Sequence, residues 1–192
     1  ASHLHAMNLP NPNLFFILLG VSEIALALFK RAKQGSDKDR GSFVALWGVI
    51  GLSIYLAIRF SYTMPRFAVE ATVVQYAVGL LLFICGSTLR WWSIIHLGRF
   101  FTVNVAIASD HRVVDDGPYT YVRHPSYSGV FIAFIGLGLL LFNRLSLVVL
   151  VLPVIIMFFW RMHVEERALL DALGERYAAY MKRTKRIVPF VY

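Results

Sequence analysis

Arg123-His124-Pro125-Ser126-Tyr127-Ser128-Gly129 sets a guanidinium, an imidazole, a phenol and two hydroxyls directly before a long apolar run. From Val130 the chain stays apolar to Trp160, Asn143 and Arg144 excepted. It then closes on a second charged cluster, Arg161-Met162-His163-Val164-Glu165-Glu166-Arg167. If the apolar stretch folds back on itself, both clusters lie at one end of the same hairpin. Arg161 and Glu165 are i and i+4 and share a helix face, whereas the adjacent Glu165 and Glu166 point in different directions. A surface pair of that kind contributes roughly a few tenths of a kcal/mol, and Arg ahead of Glu is the weaker orientation. Position argues for more, because ionisable groups near a membrane interior are costly and tend to mark substrate paths. The set suits recognition chemistry: a planar guanidinium matches a carboxylate in two contacts, and flat rings offer π-faces to a cation.

Five apolar runs must position these groups: Leu14–Phe29, Ser42–Phe60, Ala71–Ile95, Val130–Phe142 and Leu145–Trp160. Asn11-Pro12-Asn13 suits a helix start. Runs two and three approach or exceed the ~20 residues that cross a ~30 Å hydrocarbon core. Run four is short alone, but Pro125 is a good first-turn residue. A helix over Pro125–Phe142 would reach roughly 27 Å at ~1.5 Å per residue. Runs four and five then form a tight hairpin turning at Asn143-Arg144. Gly129, Gly136 and Gly138 permit close helix contact, as small residues do in membranes. Beyond run five, Leu169, Leu170, Leu173, Tyr177 and Tyr180 recur at helical spacing, so Arg161–Tyr180 reads as an amphipathic helix.

Composition agrees with a membrane chain. Of 192 residues, 58% are hydrophobic, 15% aromatic and only 16% charged, and the mean hydropathy is +0.63. An ordinary soluble domain is roughly half apolar and a quarter charged. The net charge of +8 does not read as nucleic-acid binding, because the basic residues flank apolar runs instead of forming a soluble basic face. The lone Cys85 lies in an apolar run, which leaves no disulfide framework. No His and carboxylate spacing suits a metal. Ala1–Ala6, with His3 and His5 before Met7, looks like a cloning scar, and run one lacks the basic flank and cleavage site of a signal peptide. Lys30, Arg31, Lys33, Lys38 and Arg40 follow run one; Arg99, Arg112 and Arg123 separate runs three and four; a basic cluster follows run five. The other side holds only Arg66 and Arg144, with Arg59 near the boundary. The positive-inside rule therefore expects the amino terminus outside and the carboxyl terminus in the cytoplasm.

His96–Gly129 is too polar to cross a bilayer and too long for a turn, and long loops in compact domains are usually functional or disordered. Its Phe, Tyr and Val content favours an ordered lid. Asp116-Gly117-Pro118 signals a turn that would bring Tyr119 and His124 back toward the membrane entry point. His163 reads as structural, Tyr177 and Tyr180 as packing residues, and Glu23 receives no role.

With these residues in place, the chain resembles the isoprenylcysteine carboxyl methyltransferase family of integral membrane enzymes, as a compact prokaryotic-type member. The pattern is His111-x-Val113-Val114-x-x-Gly117-Pro118-Tyr119, then Arg123-His124-Pro125-x-Tyr127-x-Gly129, then Arg161-x-x-x-Glu165-Glu166, with a trailing Gly174-x-x-Tyr177-x-x-Tyr180. It covers roughly Asn104–Pro189. The resemblance implies S-adenosylmethionine as donor, S-adenosylhomocysteine as product, and a carboxylate acceptor, commonly a prenylated cysteine. Carried over, the donor contacts are Asn104, His111, Arg112, Val113, Val114, Tyr119, His124, Pro125, Ser126, Tyr127 and Glu165, while Arg161 faces the acceptor. Asn104 stands where relatives carry a longer amide, and Arg112 is a bulkier, charged choice in its segment. The expected fold is all-α: a multi-pass membrane protein with five transmembrane helices, the last two a hairpin, plus a cytoplasmic cofactor-binding loop and a C-terminal helix. Residues 7–95 would supply three amino-terminal spans and 96–192 the catalytic core.

A carboxylate is already nucleophilic at neutral pH, so such an enzyme's main task is orientation. The donor enters from the cytoplasm, and a lipid-like or prenylated acceptor from the bilayer and its lipids. Two other readings stand beside this one: methyl transfer to a lipid amine, and a non-catalytic binding or transport module whose Arg and Glu line a pathway. A soluble nucleotide-fold methyltransferase is excluded, because Gly136-Leu137-Gly138 lies inside an apolar run without the third glycine. The oligomeric state is left open.

Overall fold

The computed structural model describes residues 9–29, 37–101 and 112–188. Six α-helices lie within these described residues, in order: α1 (Asn13–Phe29), α2 (Asp37–Thr63), α3 (Val73–Leu97), α4 (Pro125–Leu140), α5 (Arg144–Leu173) and α6 (Glu175–Arg183). Tight single turns occupy Pro65–Phe67, Gly98–Phe100 and Gly117–Thr120. The described residues form no sheet, only two isolated bridges. All-α architecture is thus as expected. Among the described residues, three helical segments are long and apolar enough to cross a membrane: Val44–Thr63, Val73–Phe100 and Arg144–Leu173. The apolar helices α1 and α4 are shorter.

Each boundary has a local cause. The Thr72 hydroxyl accepts from the Gln75 amide at 3.1 Å to cap α3, satisfying a donor that the first turn would leave unpaired. Pro125 starts α4 at a position where a missing N–H costs nothing. Asn143 caps α5 by accepting from Ser146 N at 3.0 Å, and its amide donates to Met64 O, also at 3.0 Å. One side chain therefore fixes the α4–α5 hairpin and ties it to the end of α2.

Packing is most extensive between α3 and α4, followed by α2 against α5. A Cβ on Gly86 would lie 2.5 Å from Gly129 O, and one on Gly136 2.5 Å from Gly79 O. Glycine pairs thus bring the α3 and α4 backbones into direct contact, the device that lets membrane helices pack without large side chains. Gly138 meets Leu147 of α5 instead. The helix α4 is apolar all round and mostly buried, as a central helix must be. By contrast, Val148, Leu152, Ile156 and Trp160 form an exposed stripe along α5, and Ile17, Val21, Ile24 and Leu28 another on α1. Apolar faces of that extent turned outward suit a lipid surrounding.

The expected separate helix over Arg161–Tyr180 is corrected. Run five continues without interruption to Leu173, and Gly174, at φ 56°, breaks it before α6. The leucine periodicity was real, but it belonged to the last turns of a 30-residue helix.

Candidate active site

The hairpin holds Arg123–Tyr127 at the entry of α4 against Arg161–Glu166 on α5, and the charges interlock. Glu166, 3% exposed, accepts from Arg123 Nε at 2.9 Å and from Arg186 at 3.0 Å through Nε and 2.8 Å through Nη2. His124 Nε2 stands 3.3 Å away. Glu165 faces the other way. It accepts from the Tyr127 hydroxyl, pairs with Arg161 Nε at 3.3 Å, and lies 3.8 Å from His124 Nδ1. His124 is therefore held between two carboxylates, and its ring stacks on Tyr127 at 5.4 Å and 1°. Arg161, only 1% exposed, is among the largest fully buried side chains.

The carboxyl-terminal tail completes this wall. Arg123 N donates to Lys185 O at 2.8 Å, His124 N to Arg186 O at 2.9 Å, and Ser128 Oγ to Ile187 O at 2.7 Å. Arg123 also donates to Met181 O at 3.1 Å and to Thr184 O. No periodicity marked this tail, because its role rests on backbone hydrogen bonds that any sequence could supply.

A second wall comes from the loop. Gly117, at φ 55°, lies so close to His96 that a Cβ would fall 2.6 Å from its ring. His96 Nε2 meets Asp116 Oδ1 at 2.9 Å, and that hydrogen bond holds the Asp116 carboxyl below its ordinary value. The Tyr119 hydroxyl donates to Ser93 O at 3.2 Å, and the Tyr180 hydroxyl donates to Tyr119 O at 2.7 Å. Burial pushes the phenols of Tyr119, Tyr177 and Tyr180 well up, so they remain protonated donors.

These walls line a cleft that opens to solvent. Arg112, Val113, Val114, Tyr119, His124, Ser126, Tyr127, Arg161 and Glu165 all line it. Pro125 does not; it is fully buried in the first turn of α4. Asn104 and His111 lie outside the described residues. Tyr177 and Tyr180, read as packing residues, line the cleft as well.

Sequence reasoning missed Arg90. It is buried in α3 and bonds Glu23 of α1 through Nε and Nη2, each at 2.6 Å, while Nη1 donates to Ser126 Oγ at 3.0 Å. Both Arg90 and Glu23 line the cleft. The signal was available: a lone Arg within an apolar run needs a partner, and Glu23 is the acidic residue of run one.

Residues 78–171 match the model of the isoprenylcysteine carboxyl methyltransferase (ICMT) family. Protein-S-isoprenylcysteine O-methyltransferase B of Arabidopsis thaliana is 37% identical over 115 residues, 59% of this chain and 58% of the relative. The Schizosaccharomyces pombe protein-S-isoprenylcysteine O-methyltransferase is 35% identical over 130 residues, 66% of this chain and 55% of the relative. The chain thus spans little more than half the length of these curated relatives. Among solved structures, the eukaryotic intramembrane Ras methyltransferase ICMT aligns with a TM-score of 0.63 and 30% identity, over 76% of this chain and 52% of that one.

Proposed function

Through residues 78–171 the chain belongs to the isoprenylcysteine carboxyl methyltransferase family, and on that premise we propose that it is a membrane enzyme that O-methylates the carboxylate of a prenylcysteine-like or other hydrophobic acceptor, with S-adenosylmethionine as donor. The observation that carries this reading is the shared cleft: a buried guanidinium, Arg161, stands beside Glu165 and the stacked His124–Tyr127 pair.

The residues fit such a donor. Tyr119, Tyr127 and His124 provide flat faces for a ring and for a sulfonium, Val113 and Val114 an apolar surface, and Glu165 a carboxylate for an ammonium group. When bound, the donor supplies an electrophilic methyl group. Everything else falls to this chain. Glu165 is aimed by the Tyr127 hydroxyl and by Arg161. Glu166 keeps His124 upright from behind through its contact with Nε2. Arg161 offers a fork that orients the acceptor's carboxylate. An ionised carboxylate is nucleophilic without a base, so alignment is the main contribution to rate.

We read α1–α5 as five crossing segments, with the amino terminus outside and the cleft on the cytoplasmic side, as the distribution of Lys and Arg argues. In this reading residues 96–192 carry the donor contacts, and the amino-terminal helices close the cleft through Glu23, Trp47 and Arg90. The test uses purified protein, radiolabelled S-adenosylmethionine and a panel of farnesyl-cysteine, fatty-acid and lipid-amine acceptors, followed by base. A methyl ester releases volatile methanol; base-stable label on the amine would refute carboxylate specificity. Failure to bind either donor or product nucleoside would refute methyl transfer altogether.

A further inference from the structure

The cleft contains two buried guanidiniums, Arg90 and Arg161, yet a single acceptor carboxylate has to be held by one of them. They flank the first turn of α4: Arg90 bonds Ser126, and Arg161 pairs with Glu165, which accepts from the neighbouring Tyr127. A carboxylate held at Arg90 would sit beside Ser126, whereas one held at Arg161 would sit beside Glu165. What separates the two cations is their carboxylate partner. Glu165 also faces Tyr127 and His124, whereas Glu23 sets both its oxygens on Arg90, one on Nε and one on Nη2, at 2.6 Å each.

Resting on the methyl-transfer reading, we propose that Glu23 is a specificity-determining positioning residue: by occupying the fork of Arg90 it denies that guanidinium to the acceptor's carboxylate and directs the carboxylate to Arg161. The physical reason is the cost of an unbalanced charge. A buried guanidinium whose partner loses its charge is strongly destabilised, and any carboxylate that can reach it is drawn in. Methyl acceptors of the proposed class carry that group. Glu23 belongs to α1, outside the segment that matches the family model, so the first helix supplies part of the selectivity. Glu23 and Arg90 also border a second, mostly apolar cavity lined by Leu19, Ile54 and Phe134 among others, a surface that suits an apolar acceptor.

The experiment is steady-state methyl transfer to a farnesyl-cysteine acceptor at saturating donor, comparing wild type, Glu23→Gln, and the uncharged pair Glu23→Gln with Arg90→Met. A carboxylate captured at the wrong cation lowers kcat and KM by the same factor and leaves kcat/KM in place. Glu23→Gln is expected to show that parallel fall, by about tenfold, with product-nucleoside affinity unchanged. Removing the competing cation in the double variant is expected to restore kcat to within about threefold of wild type. A fall in kcat/KM, a loss of nucleoside affinity in Glu23→Gln, or no recovery in the double variant overturns the proposal while the functional reading stands. If Glu23→Gln does not fold, Glu23→Asp, whose shorter side chain cannot cover both nitrogens of Arg90, takes its place: a parallel fall in kcat and KM supports the proposal, and unchanged constants or a fall in kcat/KM overturn it. Wild-type enzyme that methylates no carboxylate overturns the functional reading and this proposal together.

Discussion

Gly86→Ala provides the sharpest test of how the fold positions the site. A Cβ at Gly86 would lie 2.5 Å from Gly129 O and 2.9 Å from Ala133 Cα, where ordinary contact begins at 3.4 Å. Both obstacles are backbone, so no rotamer change can relieve the overlap. In a close-packed interior the helices must part by roughly 1 Å. The helix α4 carries His124, Ser126 and Tyr127 in its entry and first turn, and these residues move with it. A displacement of about 1 Å can cost about a hundredfold in rate even when it originates away from the chemistry. The expected result is a methyl-transfer kcat reduced by about two orders of magnitude, in a protein that still purifies as a single species with a lowered melting temperature. Gly51→Ala is the control, since its methyl meets nothing within 4 Å and the change favours a helix by up to about 1 kcal/mol. If Gly86→Ala turns over like Gly51→Ala, the α3–α4 contact does not set the geometry of the cleft and the reasoning fails.

Arg161→Ala is expected to abolish turnover while leaving donor affinity largely intact, whereas Glu165→Ala weakens donor binding; equal losses of affinity in a binding titration would remove that division of roles. Glu166→Gln leaves Arg123 and Arg186 facing a neutral amide in a nearly buried setting, where losing one partner costs about 3 kcal/mol. It should therefore lower the melting temperature well beyond any exposed Glu→Gln change, such as Glu175→Gln. The carboxyl of Asp116 is held low by its hydrogen bond to His96. A depressed folded value means that its contribution is fully present above the unfolded carboxylate value of about 3.9 and is lost as pH falls through the folded value. The protection of the Tyr119 amide, whose N–H donates to Asp116 O at 3.1 Å, measured as exchange relative to the intrinsic rate at each pH, should thus fall on acidification in wild type, with a weaker response in Asp116→Asn.

Some of this architecture could be read from local pattern. The apolar runs became helices, Pro125 and Asn143 became helix starts, and Gly129 and Gly136 became points of backbone contact. Such features depend on periodicity and on residues with few conformational options. The break at Gly174 was harder to place, because apolar spacing alone does not say where one helix ends and the next begins. Glu23 received no role and Arg90 passed unnoticed in an apolar run. Each makes sense only beside the other, and they lie 67 residues apart.

The sequence by itself determined the helical class, the hydrophobic character and the two clusters that face each other across one hairpin, because composition, spacing and turn chemistry act over a few residues. Only the tertiary structure decided which carboxylate serves which distant cation: Glu166 for Arg123 and Arg186, Glu23 for Arg90. Charges have no periodicity to reveal their partners. Their pairing follows from which elements touch: α1 against α3 for Glu23 and Arg90, and the α4 entry and the tail against α5 for Glu166.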